Sequence, residues 1–333
     1  MDDVTDQGPH GYVFGVGDTA FCCWEYDLIE RNVRFLTGLD AEYYGRLAEI
    51  LSEHLGGDGG GTASIALRAA YHQGVETLFS MLGAYAQAPE CVPGWLACCK
   101  SEDLRKIVEG LRRGSPLLTQ VGRRIVRLDD LAEDILRNVW VDEVGPESTR
   151  SRFTRFWRRL AGELLDETAR AEYNSIKHGL RVNPGGFYMA VGHEETPGVP
   201  APPEAMRSMG GSPYGSSFFE IERLGEGKRS PHIRARSVSV NWSAQGLLGR
   251  LALISMSITN IVGALQCAMG ADPASIKFVR PERAEAFDDV WIPVGVTSSR
   301  IDTIVRIETT QERSSNQLRA DLEERGRGDR VDG

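Results

Sequence analysis

The sequence predicts a mainly α-helical fold: a helical bundle with an inserted β-hairpin and a buried, uncharged C-terminal helix. Three observations predict it. Apolar residues recur at helical spacing in several segments between residues 41 and 178. Two period-two runs, FFEIERL and HIRARSVSVNW, flank the turn-forming GEGKRSP. Residues 251–269 (LALISMSITNIVGALQCAM) contain no charged side chain.

Composition sets the outer limits. With 41% hydrophobic and 26% charged residues in 333, the chain has the balance of a protein that folds around a core, not that of a disordered one. The net charge of -9 excludes a uniformly basic nucleic-acid coat, so any anionic partner must be met by a local patch. Lysine occurs only at Lys100, Lys106, Lys177, Lys228 and Lys277, which leaves arginine as nearly all of the positive charge. That skew suits phosphate forks, and a GC-rich coding bias produces it equally well. The six cysteines lack the two-residue gap of metal knuckles, and His193-Glu194-Glu195 sits in a Pro/Gly loop without a second histidine. No metal and no cofactor is expected. Reduced thiols and an acidic N-terminus without a secretory signal point to the cytoplasm.

Element by element, residues 1–39 form an N-terminal segment, 40–310 the helical domain, and 311–333 a flexible charged tail. A helix over 41–55, with Asp40 as N-cap, ends at the glycine run 56–61, which reads as a connector because it lacks the Gly-Lys-Ser/Thr ending of a phosphate loop. A buried helix over 62–87 is stopped by Pro89 and Pro93. Helices over 101–111 and 129–140 follow, and then one long helix over 148–178 whose stripe is Phe153, Phe156, Trp157, Leu160, Leu164 and Leu165. The hairpin insertion occupies about 183–242, and a further strand is expected at 289–296. Residues 251–269 approach the ~20 residues of a membrane span. Ser255, Ser257, Thr259, Asn260 and Gln266 would need partners there, so a buried core helix and no membrane are expected.

Chemistry concentrates in RAEYNSIKHGLR, residues 170–181. On a helix Asn174, His178 and Arg181 fall within about 60° of one another, with Lys177 on the flank. His178 stands beside Gly179, where the helix C-terminus favours imidazolium, an arrangement suited to general acid/base work or simply to capping. A second polar stripe, Arg68, His72 and Glu76, recurs at i and i+4. It reads either as Glu76 orienting His72 in a site or as an ion-pair ladder between helices. Arg152, Arg155 and Arg159 form a basic face, a nucleic-acid footprint or a solvated surface. Tyr188, Phe218, Phe219 and Trp242 either line a small-molecule pocket or make the hairpin's own core.

YNSIKHGLR near the end of a long helix resembles the HEPN superfamily of bacterial nucleic-acid-associated domains, over the helices from 41 to 181. The resemblance implies a metal-independent endoribonuclease of a phage-defence or toxin system, working as a homodimer on RNA beside a partner protein. It implies that His178 moves the proton of an attacking 2′-hydroxyl while Arg170, Lys177 or Arg181 stabilises the phosphorane. The family's arginine is followed by about four to six residues and then its histidine; here the positions with that gap before His178 are Ala171, Glu172 and Tyr173, and Arg170 is one residue further away. A catalytically inert helical interaction or nucleic-acid-binding module is therefore the alternative. The aromatic helix of Phe153, Phe156 and Trp157 is the surface expected for a second copy.

Overall fold

The computed structural model describes residues 11–24, 27–119, 122–137, 139–140, 143, 145, 147–178, 181–224, 232–303, 317 and 319–320. The GEGKRSP turn and nearly all of the charged tail lie outside them.

The chain opens with a hairpin of β1 (Tyr12–Val16) and β2 (Thr19–Cys23), turned at Gly17 with a φ of 58°. Phe14 and Val16 of β1 are buried in the main core. Then come α1 (Leu28–Gly38), α2 (Tyr43–Ser52), α3 (Gly60–Gln87), α4 (Val92–Cys98) and α5 (Ser101–Arg113). A short hairpin of β3 (Pro116–Thr119) and β4 (Gly122–Ile125) leads into α6 (Leu128–Ile135), α7 (Thr149–Leu165) and α8 (Glu167–Lys177). The second half holds β5 (Val182–Pro184), β6 (Tyr188–Val191), β7 (Arg207–Gly211), β8 (Gly215–Leu224) and β9 (His232–Asn241). It closes with α9 (Ala244–Ala268), α10 (Ala286–Asp289) and β10 (Ser298–Thr303).

The helical-bundle class is overturned. The protein is 53% helix and 18% strand, with four small antiparallel sheets among the described residues, a mixed α/β fold and not an all-α one. The expected hairpin forms as β8 and β9, but it is the centre of a four-stranded sheet ordered β10-β9-β8-β5. Its period-two signal is real: Phe218 and Val238 face each other in the interior, while neighbouring Phe219 is 70% exposed. The edge strands β5 and β10 are short and polar (VNP, SSRIDT), carry no alternation, and form because β8 and β9 offer unpaired backbone edges. Residues 289–296 are not the expected strand, which lies instead at 298–303.

At the centre α9 lies against α3. Gly74 permits the approach, since a Cβ there would stand 3.2 Å from Leu251 and 3.4 Å from Ile254. Among the described residues α9 is the one helix long and apolar enough to cross a membrane by length and composition. Its polar groups have protein partners: Ser257 accepts from Trp157 Nε1 at 3.0 Å, Asn260 exchanges two bonds with the Val279 backbone, and Ser255 donates to the Ala41 carbonyl.

The single long helix over 148–178 is in fact two. Asp166 adopts an extended conformation (φ -69°, ψ 130°) and its carboxylate accepts the Ala169 N–H at 2.8 Å, capping α8. Arg105 of α5 closes the end of α7 by donating to the carbonyls of Leu164 and Leu165 at 2.7 and 3.0 Å. Apolar periodicity runs through both halves and does not register the break. Phe153, Phe156 and Trp157 are at most 1% exposed, buried within the chain and not presented to a second copy.

Candidate functional site

The break at Asp166 sets α8 against α3, where Arg68, His72 and Glu76 stand one turn apart. Glu172 of α8 is completely buried there. Its Oε2 accepts from Arg68 Nε at 3.0 Å, Arg68 Nη2 at 2.7 Å and His72 Nε2 at 3.3 Å; its Oε1 accepts from Ser216 Oγ of β8 at 2.7 Å. Burial by itself raises the Glu172 pKa, but Arg68 and then His72 outweigh it and hold the carboxyl down to about 2. Glu172 is therefore ionised at neutral pH. For His72, burial and then the Arg68 charge lower the pKa, against the opposing pull of Glu172. The ring is neutral at pH 7, with its proton on Nε2 toward the carboxylate and its lone pair on Nδ1. No described residue bonds Nδ1.

The stripe continues outward. Tyr173 stacks on His72 with ring centres 5.0 Å apart and planes at 24°, and its hydroxyl donates to Glu76 Oε2 at 3.0 Å. Burial and then Glu76 raise the Tyr173 pKa, keeping the phenol protonated. Lys177 Nζ lies 5.4 Å from the centre of the same ring, with no carboxylate in ion-pair reach among the described residues. These groups border a cavity of about 430 Å³ whose wall includes His72, Glu76, Arg105, Arg170, Tyr173 and Lys177. The arrangement is a neutral imidazole, fixed by an ionised carboxylate on one nitrogen, opening on a cation-bearing pocket. A neutral imidazole held in this way can accept a proton on its second nitrogen.

The residues singled out in the sequence are distributed unevenly over this site. Arg68 and His72 converge on one carboxylate, but it is Glu172 and not Glu76 that orients His72. Arg170, Asn174 and Lys177 line the cavity, with Arg170 paired to Glu167. His178 is exposed at the C-cap of α8 and is not among the lining residues. Arg181 follows the helix, its N–H bonded to the Ser175 carbonyl, so it does not share the helical face expected of it. Arg152 and Arg155 pair with Glu147, and Arg159 with Asp288, so the basic face is largely neutralised locally. Of the hairpin aromatics, Phe218 and Trp242 are buried, while Tyr188 and Phe219 are exposed.

Glu172 and Ser216 escaped the sequence reading. A signal for Glu172 existed: it shares the buried face of α8 with Tyr173 and Ile176, so a carboxylate at that register had to meet a cation. Nothing local marks Ser216. Among the described residues no cluster of three or more His, Cys, Asp or Glu is placed to hold a metal ion. No family model matches the chain, and neither the curated proteins nor the solved structures yield a match.

Proposed function

We propose that the protein is a metal-independent, RNA-acting enzyme whose general base is His72. One observation carries the reading: Nε2 of a neutral His72 is held by ionised Glu172, which leaves Nδ1 without a partner among the described residues, on a side chain that lines a cavity together with Lys177. In this mechanism His72 Nδ1 takes the proton of a ribose 2′-hydroxyl. The oxygen attacks the adjacent phosphorus, the bond to the 5′-oxygen breaks, and water protonates the leaving oxygen. Lys177 and Arg170 offset the charge that develops on the phosphorane. The need for a 2′-hydroxyl makes RNA the substrate. This transfers to His72 the role that the HEPN resemblance implied for His178.

The test is cleavage of a mixed-sequence RNA in EDTA by the wild type and by His72→Gln, Lys177→Met and His178→Ala, each shown folded by circular dichroism. His72→Gln is expected to lower the rate by about 10²–10⁴-fold and Lys177→Met by at least tenfold, with His178→Ala near wild type. Loss of activity only in His178→Ala would return the role to that residue. A second reading, a non-catalytic binding module, is favoured by the local pairing of Arg152, Arg155, Arg159 and Arg170. It predicts no RNA cleavage by the wild type and, with those cations already paired, no steeply salt-dependent RNA binding.

A further inference from the structure

A second cavity, of about 790 Å³, opens between the start of α8, the end of β9, the start of α9 and residues 291–298. It shares only Glu163 and Ala169 with the His72 cavity. Its inner wall is part of a run of alternating aromatic rings and guanidinium groups. Arg68 lies 5.0 Å from the Trp242 ring centre and 5.5 Å from that of Tyr71; Arg250 lies 4.8 Å from Tyr71 and 5.0 Å from Trp291. Rings on either side hold each guanidinium in place.

The least exposed hydrogen-bonding capacity left over along this wall is on donors. The two buried or half-buried carboxylates are already committed, Glu172 to Arg68, His72 and Ser216 and Glu163 to Tyr71 Oη at 2.6 Å and Arg250 Nη1 at 2.9 Å, while exposed Asp166 caps α8 through one oxygen. Arg68 spends Nε and Nη2, and Arg250 spends Nε on the Gly246 carbonyl as well as Nη1. Arg68 Nη1 and Arg250 Nη2 have no acceptor among the described residues, although the two side chains are only 9% and 10% exposed. Trp242 Nε1 is the buried side-chain polar atom without a partner among the described residues. Unspent donors in a concave, largely buried wall call for an acceptor. The lining charges of Arg68, Arg250 and Arg300 balance those of Glu163, Asp166 and Glu172. A single negative charge is therefore better matched than a phosphate dianion.

We propose that this cavity binds a small aromatic carboxylate. The carboxylate accepts from Arg68 and Arg250, and its ring packs against the edge of Trp291, whose ring also lies 5.0 Å from Arg159 and 5.0 Å from Arg250. The site adjoins the His72 cavity through the Arg68–Glu172 pair, and its binding assay needs no RNA chemistry at His72. Isothermal titration of the full chain with benzoate is expected to give saturable binding below about 1 mM. Cyclohexanecarboxylate should bind at least about threefold more weakly, and uncharged benzyl alcohol at least about tenfold more weakly. Trp291→Leu and Arg250→Lys should each weaken benzoate about tenfold, the second because a lysine keeps the charge but loses the fork. If Arg250→Lys fails to fold, Trp291→Leu at the cavity edge decides. No binding of benzoate by the wild type up to about 10 mM, or unchanged binding by folded Trp291→Leu, overturns the proposal. Tighter binding of phenyl phosphate than of benzoate overturns the assignment of a carboxylate.

Discussion

Replacing Glu172 by leucine removes the one carboxylate on which α3, α8 and β8 converge. Arg68 Nε and Nη2, His72 Nε2 and Ser216 Oγ would all lose their acceptor at once. The Arg68 side chain is 9% exposed, so its charge would remain in the interior without a counter-ion. Breaking a buried ion pair from one side costs about 3–5 kcal/mol, and the loss expected here is about 4 kcal/mol. That is a large share of the ~5–15 kcal/mol by which domains are stable. The paired change Arg68→Met with Glu172→Leu removes both charges and keeps apolar volume, so it should cost less than about 2 kcal/mol. Urea denaturation of the wild type, both single variants and the double variant closes the cycle, with an expected coupling above about 2 kcal/mol. A single-variant loss under about 1 kcal/mol, or a double variant equal to the sum of the singles, would refute the picture of a mutually dependent buried pair.

Acid should destabilise the protein in two windows. The folded-state pKa of His72 is lowered, so the unfolded chain binds the extra proton first and stability falls as pH drops below the ordinary value of 6.5. The folded Glu172 pKa is also lowered, from 4.5 to about 2; its contribution is present above 4.5 and is lost as pH falls from 4.5 toward 2, by roughly 3 kcal/mol in all. Urea midpoints at pH 7, 5.5, 4 and 3 check the trend, and Glu172→Leu should abolish the lower window. Gly83→Ala should destabilise by about 1–3 kcal/mol, because the new Cβ would stand 2.5–2.6 Å from the buried Trp95 ring; calorimetry measures the loss. Asp166→Ala removes the cap of α8 and should cost about 1 kcal/mol, with faster amide exchange in the first turn of that helix.

What the sequence determined by itself was local. The helical spacing within 62–87, the polar but uncharged pattern of 251–269 and the alternation in FFEIERL and HIRARSVSVNW each encode an element through contacts a few residues apart, and these elements stand as α3, α9 and the β8–β9 pair. The face shared by Arg68 and His72 was equally legible, since it follows from the pitch of one helix. Tertiary structure decided the rest. The edge strands exist only because the hairpin offers them backbone partners. The split at Asp166 depends on α5 delivering Arg105 to the end of α7. The orientation of His72 depends on a carboxylate 100 residues further along the chain and on a serine hydroxyl supplied by a strand. A buried charge must be neutralised by some partner, but which residue reaches it is set by how three elements pack, and no local pattern carries that information.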